Sequence, residues 1–585
     1  MKFNYQAFKA IYLHEMDRFK RTLMQSLLSP VLSTSLYFIV FGSVIGGYVE
    51  KIDAMDKLIP EIEQALVKVR QALTDLMAKG QITERQFKLY VGRMGSNNNA
   101  KFLSLFNLLD KLEKYSEKVI LEKGIVTKQQ LSNLKAHLYK QILISLRLNP
   151  IHQNIRMQIR EQMDFAVILY QKGLYKLSLK ILDKAKALAL KNEEKYAAYD
   201  IVEFEKLIES QYITRSLSNR AQQLIQEADD LRTHNDLTSQ LSNLSLLLYE
   251  RLIKTGYAKS DIEFREITKF FYENIPNIVQ SNLGFREKLW YFKAHVWYSF
   301  LVQDFLSCFK YSTKWVVMFD ENPDMIPIHP VFYLKGNNFL LESLALIKSP
   351  EKFKKTLQKM LITIKSDIFP SNDNLAALSF LYSYNNRFNF YFLKGNFEEG
   401  LKILPDVING IDSFKNQIDP HHIMLFYYKI ACLYFGLENY EKCILYLDKI
   451  IKNKHLKMRE DLLCFTRVLS VVAHYEAGFD YHLDAHLRET YKFLIKMNDL
   501  HEVQKAMIRF VRSLGDIYPH ELKAAFVKLH KELKKYEDDP YERRSFLYLD
   551  ILSWLESKIE NRPVGEIIRE KSKIINRKER NSIEV

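Results

Sequence analysis

Three histidines and two aspartates stand close together late in the chain: His474, Asp480, His482, Asp484 and His486. His482 and His486 are four apart, and on a helix that spacing turns both imidazoles to one side, as two ligands of one metal ion require. A zinc site also needs a third protein ligand, and no spacing here fixes one. Interior and surface histidines are common in such helices, so a metal role is not expected. The pair His421-His422 is adjacent, so its side chains diverge on a helix; following Asp419-Pro420, it reads as a helix start. Cys308, Cys432, Cys443 and Cys464 have no C-x-x-C spacing, which argues against zinc, and they are too few and scattered for a disulfide framework. They lie among apolar residues, where cysteine acts as a small hydrophobe, and this favours a reducing compartment. The chain has no glycine-rich phosphate loop, no Gly-x-Ser-x-Gly elbow and no zinc-protease helix. The expectation is a protein with no catalytic, cofactor-binding or metal-binding residue.

The elements that would carry such residues fall into two kinds. From Thr22 to Val49 the chain runs TLMQSLLSPVLSTSLYFIVFGSVIGGYV without one charge. A bilayer core needs about 20 apolar residues of helix, so one tilted span is expected here. Before it, Tyr5 to Arg21 puts Tyr5, Phe8, Tyr12 and Phe19 on one helical face and Lys9, Arg18 and Lys20 mostly opposite, which suits a membrane surface. The mixed leader and the lack of a small-residue cleavage site fit an uncleaved anchor rather than a signal peptide. Gly42 and Gly46 have the spacing that lets membrane helices approach closely. Residues 5–49 are therefore expected to meet lipid. The cations ahead of the span favour a cytoplasmic N-terminus, which would send the body outside; the cysteine usage favours a cytoplasmic body, and Lys51 and Lys57 weaken the charge argument. The body is expected in the cytoplasm, anchored at a bacterial inner membrane, or free in the cytoplasm if residues 1–54 are a fusion relic.

The remainder is helical by pattern. Glycine and proline are scarce, at 18 and 14 in 585 residues, and the 3.6-residue period dominates, so the fold class is all-α. The net charge of +15 arises from Lys interspersed with Glu along helix faces, a solvated surface rather than a nucleic-acid groove. Residues 55–150 read as a helical region: a helix from Pro60 to Gly80, a loop over 95–101, and a helix after Thr127 with Leu131, Leu134, Leu138, Ile142 and Leu146 in a stripe. From 151 to 560 a helical hairpin recurs. Three copies share a short polar turn, an aromatic, a small residue three places on, and two apolar anchors. They are Gly173, Tyr175, Ser178, Leu182 and Ala185; Gly395, Phe397, Gly400, Leu404 and Val407; and Tyr440, Cys443, Leu447 and Ile450 after Tyr434. Phe305, Cys308 and Trp315 mark a weaker copy, and 473–496 one weaker still. Helices cross closely at the small residue, the aromatics fill the gap to the next pair, and stacking completes the core. Residues 561–585 read as a basic tail, with Lys571 to Arg580 frayed in solvent.

Two resemblances attach to these residues. Leu28-Ser29-Pro30, Leu36-Tyr37-Phe38 and the run from Phe41-Gly42 to Gly46 are similar to the start of type-two ABC exporter permeases, over about residues 5–53. That resemblance implies membrane-helix packing at Pro30, Gly42 and Gly46. Such permeases need about six spans, and no later segment supplies one, so the implication is a permease fragment or exporter component joined at about Met55 to another protein. The hairpin pattern resembles the tetratricopeptide repeat family in degenerate form, without its usual first-helix Trp and most of its prolines. The soluble part is also similar to uncharacterised Bacteroidetes-type repeat proteins, with their ending WLESKIENRP at Trp554 to Pro563. These resemblances imply an α-solenoid scaffold binding an unidentified protein or peptide. Part of the 13% aromatic content would then line a groove that grips it.

Overall fold

The computed structural model describes residues 84–93, 101–111, 117–125, 127–148, 154–211, 219–278, 283–453, 460–478, 483–496, 502–513, 517–518, 520–542, 546 and 550–581. Every regular element among them is a helix, and none is a strand. No described helix is long and apolar enough to cross a membrane. The span expected at Thr22–Val49, with Pro30, Gly42 and Gly46, lies outside the described residues, as do the helix expected over 60–80 and most of the loop at 95–101.

The chain divides into two units, Met1–Asn154 and Ile155–Val585. In the first, α1 (Glu84–Arg93), α2 (Lys101–Asp110), α3 (Glu117–Glu122) and α4 (Lys128–Leu148) enclose a small core. The expected leucine stripe supplies it: Leu131, Leu138 and Ile142 are fully buried with Phe87, Phe106 and Ile120, and Leu134 and Leu146 flank them. Tyr90 donates to Gln141 Oε1 at 2.8 Å, tying α1 to α4.

The second unit begins with α5 (Ile155–Gln171), α6 (Tyr175–Lys191), α7 (Lys195–Gln211), α8 (Arg220–Thr255) and α9 (Asp261–Asn274). It continues through α10 (Phe285–Leu301), α11 (Phe305–Glu321), the short α12 (Met325–Ile328), α13 (Pro330–Leu346), α14 (Pro350–Ile364) and α15 (Asp373–Lys394). Then come α16 (Phe397–Lys402), α17 (Leu404–Phe414), α18 (Pro420–Gly436), α19 (Tyr440–Ile451), α20 (Glu460–Glu476) and α21 (Leu483–Lys496). The last are α22 (Glu502–Ser513), α23 (Leu522–Lys534), α24 (Ile551–Glu560) and α25 (Val564–Asn581). Up to α24, helices pack mainly on those next or next but one in the chain.

One turn joins the pairs again and again. At Gly173, Glu193, Gln303, Lys348, Gly395, Glu438 and Asn561 the backbone turns left-handed, with φ between 51° and 72°. The next residue donates its N–H to the carbonyl five places back: Leu174 to Leu169, Glu194 to Ala189, Asp304 to Ser299, Ser349 to Leu344, Asn396 to Tyr391 and Asn439 to Tyr434, all at 2.8–2.9 Å, and Arg562 to Ser557 at 3.0 Å. This wraps the last turn of one helix and satisfies its orphan carbonyl. Asp304 and Asn439 then accept from the N–H three residues on, capping the second helix. An aromatic pair also bridges several turns: Tyr170 with Tyr175, Phe392 with Phe397 and Phe435 with Tyr440, ring centres 5.6–6.2 Å apart.

The small residues sit where helices meet. Ser178, Cys308 and Cys443 are fully buried, and Ser178 Oγ donates to Ala166 O of the preceding helix at 2.8 Å. A Cβ at Gly400 would lie 2.6 Å from Leu433 Cδ2, so any larger residue there would have to displace that side chain. Gly336 against the Trp315 ring and Gly436 against the Phe397 ring repeat the device. Of the aromatics, Phe305 and Phe397 are buried, whereas Tyr175 and Tyr440 are half-buried.

The C-terminal region departs from chain order. Residues 564–581, read from sequence as part of a basic tail over 561–585, form α25, which returns to pack on α14 and α15. The reason is its apolar face: Val564 and Ile567 are buried, and Lys571 pairs with Glu556 at 2.6 Å. Gly395 and Gly565 stand back to back, and Arg569 donates to Gly395 O at 3.0 Å. Farther along, Trp554 Nε1 donates to Glu476 at 2.8 Å, Lys558 pairs with the same carboxylate at 2.6 Å, and Tyr541 donates to Asp261 at 2.6 Å. The segment from about Tyr541 onward thus fastens helices that are far apart in sequence.

Two glycines separate the turn from the strap. Gly173 (φ 72°) has nothing within 4 Å of an added Cβ, whereas at Gly395 (φ 65°) that atom would lie 2.6 Å from Gly565 O. Gly173→Ala should cost only the left-handed penalty, about 1 kcal/mol. Gly395→Ala should cost about 1–3 kcal/mol more, since overpacking is added. Denaturant unfolding of both variants measures the difference, and in a chain ending before Val564 it should vanish.

Candidate functional site

The histidine cluster is brought together only in part. His474 on α20 and His486 on α21 lie with ring centres 4.5 Å apart, and His474 Nδ1 is 2.7 Å from Ser470 O. Asp480 and His482 lie outside the described residues, and Asp484 lies on α21. Among the described residues no group of three His, Cys, Asp or Glu side chains could hold a metal ion. His421 and His422 occupy the first turn of α18, where Asp419 accepts from the His421 N–H at 2.7 Å, a helix start. Cys308, Cys443 and Cys464 are buried and Cys432 is half-buried. Burial pushes the Cys432 thiol up to about 12 against the pull of Lys429, so it is protonated at neutral pH and a poor nucleophile.

The concentration of polar chemistry is elsewhere, on helices that expose few residues or none. Not one residue of α10 or α13, nor of α18 after Pro420, is exposed. The second helices of the pairs do meet water, for instance at Leu306 and Ile362. Yet α13 carries Asn337-Asn338, α15 carries Asn385-Asn386 and Asn389, and α18 carries Lys429 in the run Phe426-Tyr427-Tyr428-Lys429-Ile430. Asparagine competes with helical backbone for hydrogen bonds and is a weak helix former, so paired asparagines inside apolar helices need a reason beyond propensity.

The side chains form a chain of hydrogen bonds across three helices. Asn338 donates to Glu342 Oε1 at 2.9 Å on α13. Asn386 of α15 donates to Asn338 Oδ1 at 2.8 Å and back to Tyr382 O at 2.9 Å. Asn389 donates weakly to Asn386 Oδ1 at 3.5 Å. Lys429 of α18 donates to Asn389 Oδ1 and, at 3.2 Å, to the carbonyl of Asn385. Asn386 is fully buried, while Asn389 and Glu342 are half-buried. The amide oxygen of Asn385 is buried with no hydrogen-bond partner.

Electrostatics follow from this burial. Desolvation brings the Lys429 ammonium down to about 8, with Glu342 and Cys432 pulling it back up. Burial together with the Glu342 charge and the neighbouring Tyr249 raises the Tyr382 phenol. The site therefore offers amide donors and acceptors, one carboxylate and one partly desolvated amine. That set can match the alternating N–H and C=O groups of another backbone. It contains no base aligned on a nucleophile, the arrangement covalent chemistry requires.

These residues escape a sequence reading because no motif encodes them. The available signal was the contrast itself: Gly336-Asn337-Asn338-Phe339, Tyr384-Asn385-Asn386 and one lysine within apolar helices. No protein-family model, curated protein or solved structure matches the chain.

Lys429 gives the site a pH signature. Its folded value, about 8, lies below the 10.5 of an ordinary lysine. Between those values the unfolded chain holds the extra proton, so stability rises with pH. From pH 7 to pH 9 the native protein should gain about 1 kcal/mol relative to Lys429→Met, read as the change in unfolding free energy in urea. Parallel pH profiles for the two proteins would contradict the assignment.

Proposed function

We propose that residues 155–560 form a tetratricopeptide-like solenoid that serves as a non-enzymatic scaffold, binding an extended segment of a partner protein along its first helices. The observation that carries this reading is the hydrogen-bonded chain from Glu342 through Asn338, Asn386 and Asn389 to Lys429. Side-chain amides placed at successive helices can exchange their mutual bonds for bonds to a peptide backbone, which recognises a chain largely independently of its side chains. Helix pairs packed in chain order and closed by one repeated turn support the stacked arrangement. The uncharged stretch Thr22–Val49 supports a membrane tether.

Panning a displayed library of random peptides against the full-length chain in detergent tests this reading. Selected peptides should bind the native protein and lose about tenfold or more on the Asn386→Ala, Asn389→Ala double variant, since two backbone-binding amides are removed. Circular dichroism melting of the variant confirms that it remains folded. Peptides that bind both proteins equally, or no selection at all, would refute the proposal.

A further inference from the structure

Next to the asparagine chain lies a second group of polar residues with the opposite problem: charges with nothing opposite them. Lys293 on α10 and Lys335 on α13 are largely withdrawn from water and near enough to repel one another. Desolvation is the main influence on both, bringing Lys293 down to about 8, and no carboxylate acts on either. Neither has an ion-pair partner among the described residues. The Lys293 ammonium rests 4.2 Å from the centre of the Trp290 ring and 5.8 Å from that of Phe332, and those two rings meet edge to face at 5.2 Å. Two turns before Lys293 on the same helix, Arg286 lies over the Tyr196 ring at 4.8 Å, and its Nη1 is buried with no hydrogen-bond partner.

Burying like charges without a counter-charge is costly, and proteins pair or hydrate such groups when nothing else depends on them. Here a paired alternative is present in the same helix: Glu287, adjacent to Arg286, is fully buried and spent on Lys195 at 3.0 Å and His234 at 3.2 Å. The cations on the α10–α13 face are left open.

We propose that Arg286, Lys293 and Lys335 receive the carboxylates of an acidic peptide segment, with Trp290 and Phe332 packing its side-chain stems. The inference rests on the peptide-binding reading above and names the ligand's chemistry. Two observations select a polypeptide over a nucleic acid. The helices carrying the cations have no exposed residue that could follow a phosphate backbone around a duplex. The neighbouring amide chain offers both donors and acceptors, which a peptide backbone satisfies and a phosphodiester, acceptor only, does not. Packed helices lie about 8–10 Å apart, so α10 to α18 spans about 25–30 Å, the reach of about eight extended residues. The motif is therefore short, with its acidic residues toward the α10 end and its backbone on Asn386 and Asn389.

The same panning experiment, scored for composition, provides the test. Peptides retained by the full-length chain should be enriched in Asp and Glu at one end. Lys293→Met, Lys335→Met should weaken them about tenfold or more, because charge-assisted hydrogen bonds are lost. The double variant should also melt higher than the native protein, since two desolvated charges become apolar. Higher stability with weaker binding is a combination that a purely structural role for these lysines would not give. Selected peptides that depend on Asn386 and Asn389 but carry no acidic bias and ignore the lysine change would overturn this inference alone. Failure to select any peptide would overturn it together with the scaffold reading. Binding of a single-stranded oligonucleotide or of inorganic phosphate that depends on both lysines, with no response to acidic peptide, would equally overturn it.

Discussion

The first helices α10, α13 and α18 have no face of their own toward water, and much of the middle of the second unit follows from that. Between neighbours on either side, α10, α13 and α18 must bury or half-bury every residue once the chain passes Pro420. Apolar residues meet the requirement by packing, as Phe426, Ile430 and Leu433 do. A polar residue in the same position has no solvent to turn to, and leaving it unsatisfied costs the desolvation of the group. Asn338, Asn386, Asn389 and Lys429 meet the requirement by reaching sideways to the next helix. Lys293 leans on the Trp290 ring, and neither it nor the desolvated Lys335 has a carboxylate opposite. The two outcomes, a satisfied amide chain and an uncompensated cationic patch, lie side by side on one run of helices.

The pairs themselves could be read from sequence where a residue type betrayed its geometry. Gly173 and Gly395 marked left-handed turns because glycine adopts them at no steric cost. The same turn at Glu193, Gln303, Lys348 and Glu438 left no such mark, since these side chains accept the conformation under the pull of the surrounding hydrogen bonds. The pair α13–α14, closed at Lys348, was accordingly missed. Small residues three places after the aromatic, at Ser178, Cys308, Gly400 and Cys443, were legible because close approach restricts side-chain size. The glycines at Gly336 and Gly436, facing Trp315 and Phe397, were not, because nothing local to them repeats. The helix from Val564 to Asn581 was misjudged because its charge density concealed the apolar residues Val564 and Ile567.

The candidate site was not legible at all. A motif search looks for residues close in sequence, whereas Asn338, Asn386 and Lys429 are joined only because α15 packs against both α13 and α18. Each alone is an unremarkable polar residue. What distinguishes them is burial, and burial is a property of the packed helices. The cations follow the same logic, since a lysine in a mixed-charge sequence gives no sign that its neighbours have taken every carboxylate.

The central claim is that the first-helix face binds a polypeptide through amides and cations together. The most direct measurement is a structure of the full-length chain with a selected peptide bound. The account predicts an extended peptide whose backbone hydrogen-bonds Asn386 and Asn389 and whose carboxylates lie within hydrogen-bond distance of Lys293 and Lys335. A peptide seated on the second helices, or against the C-terminal helix, with the asparagine chain undisturbed, would contradict it.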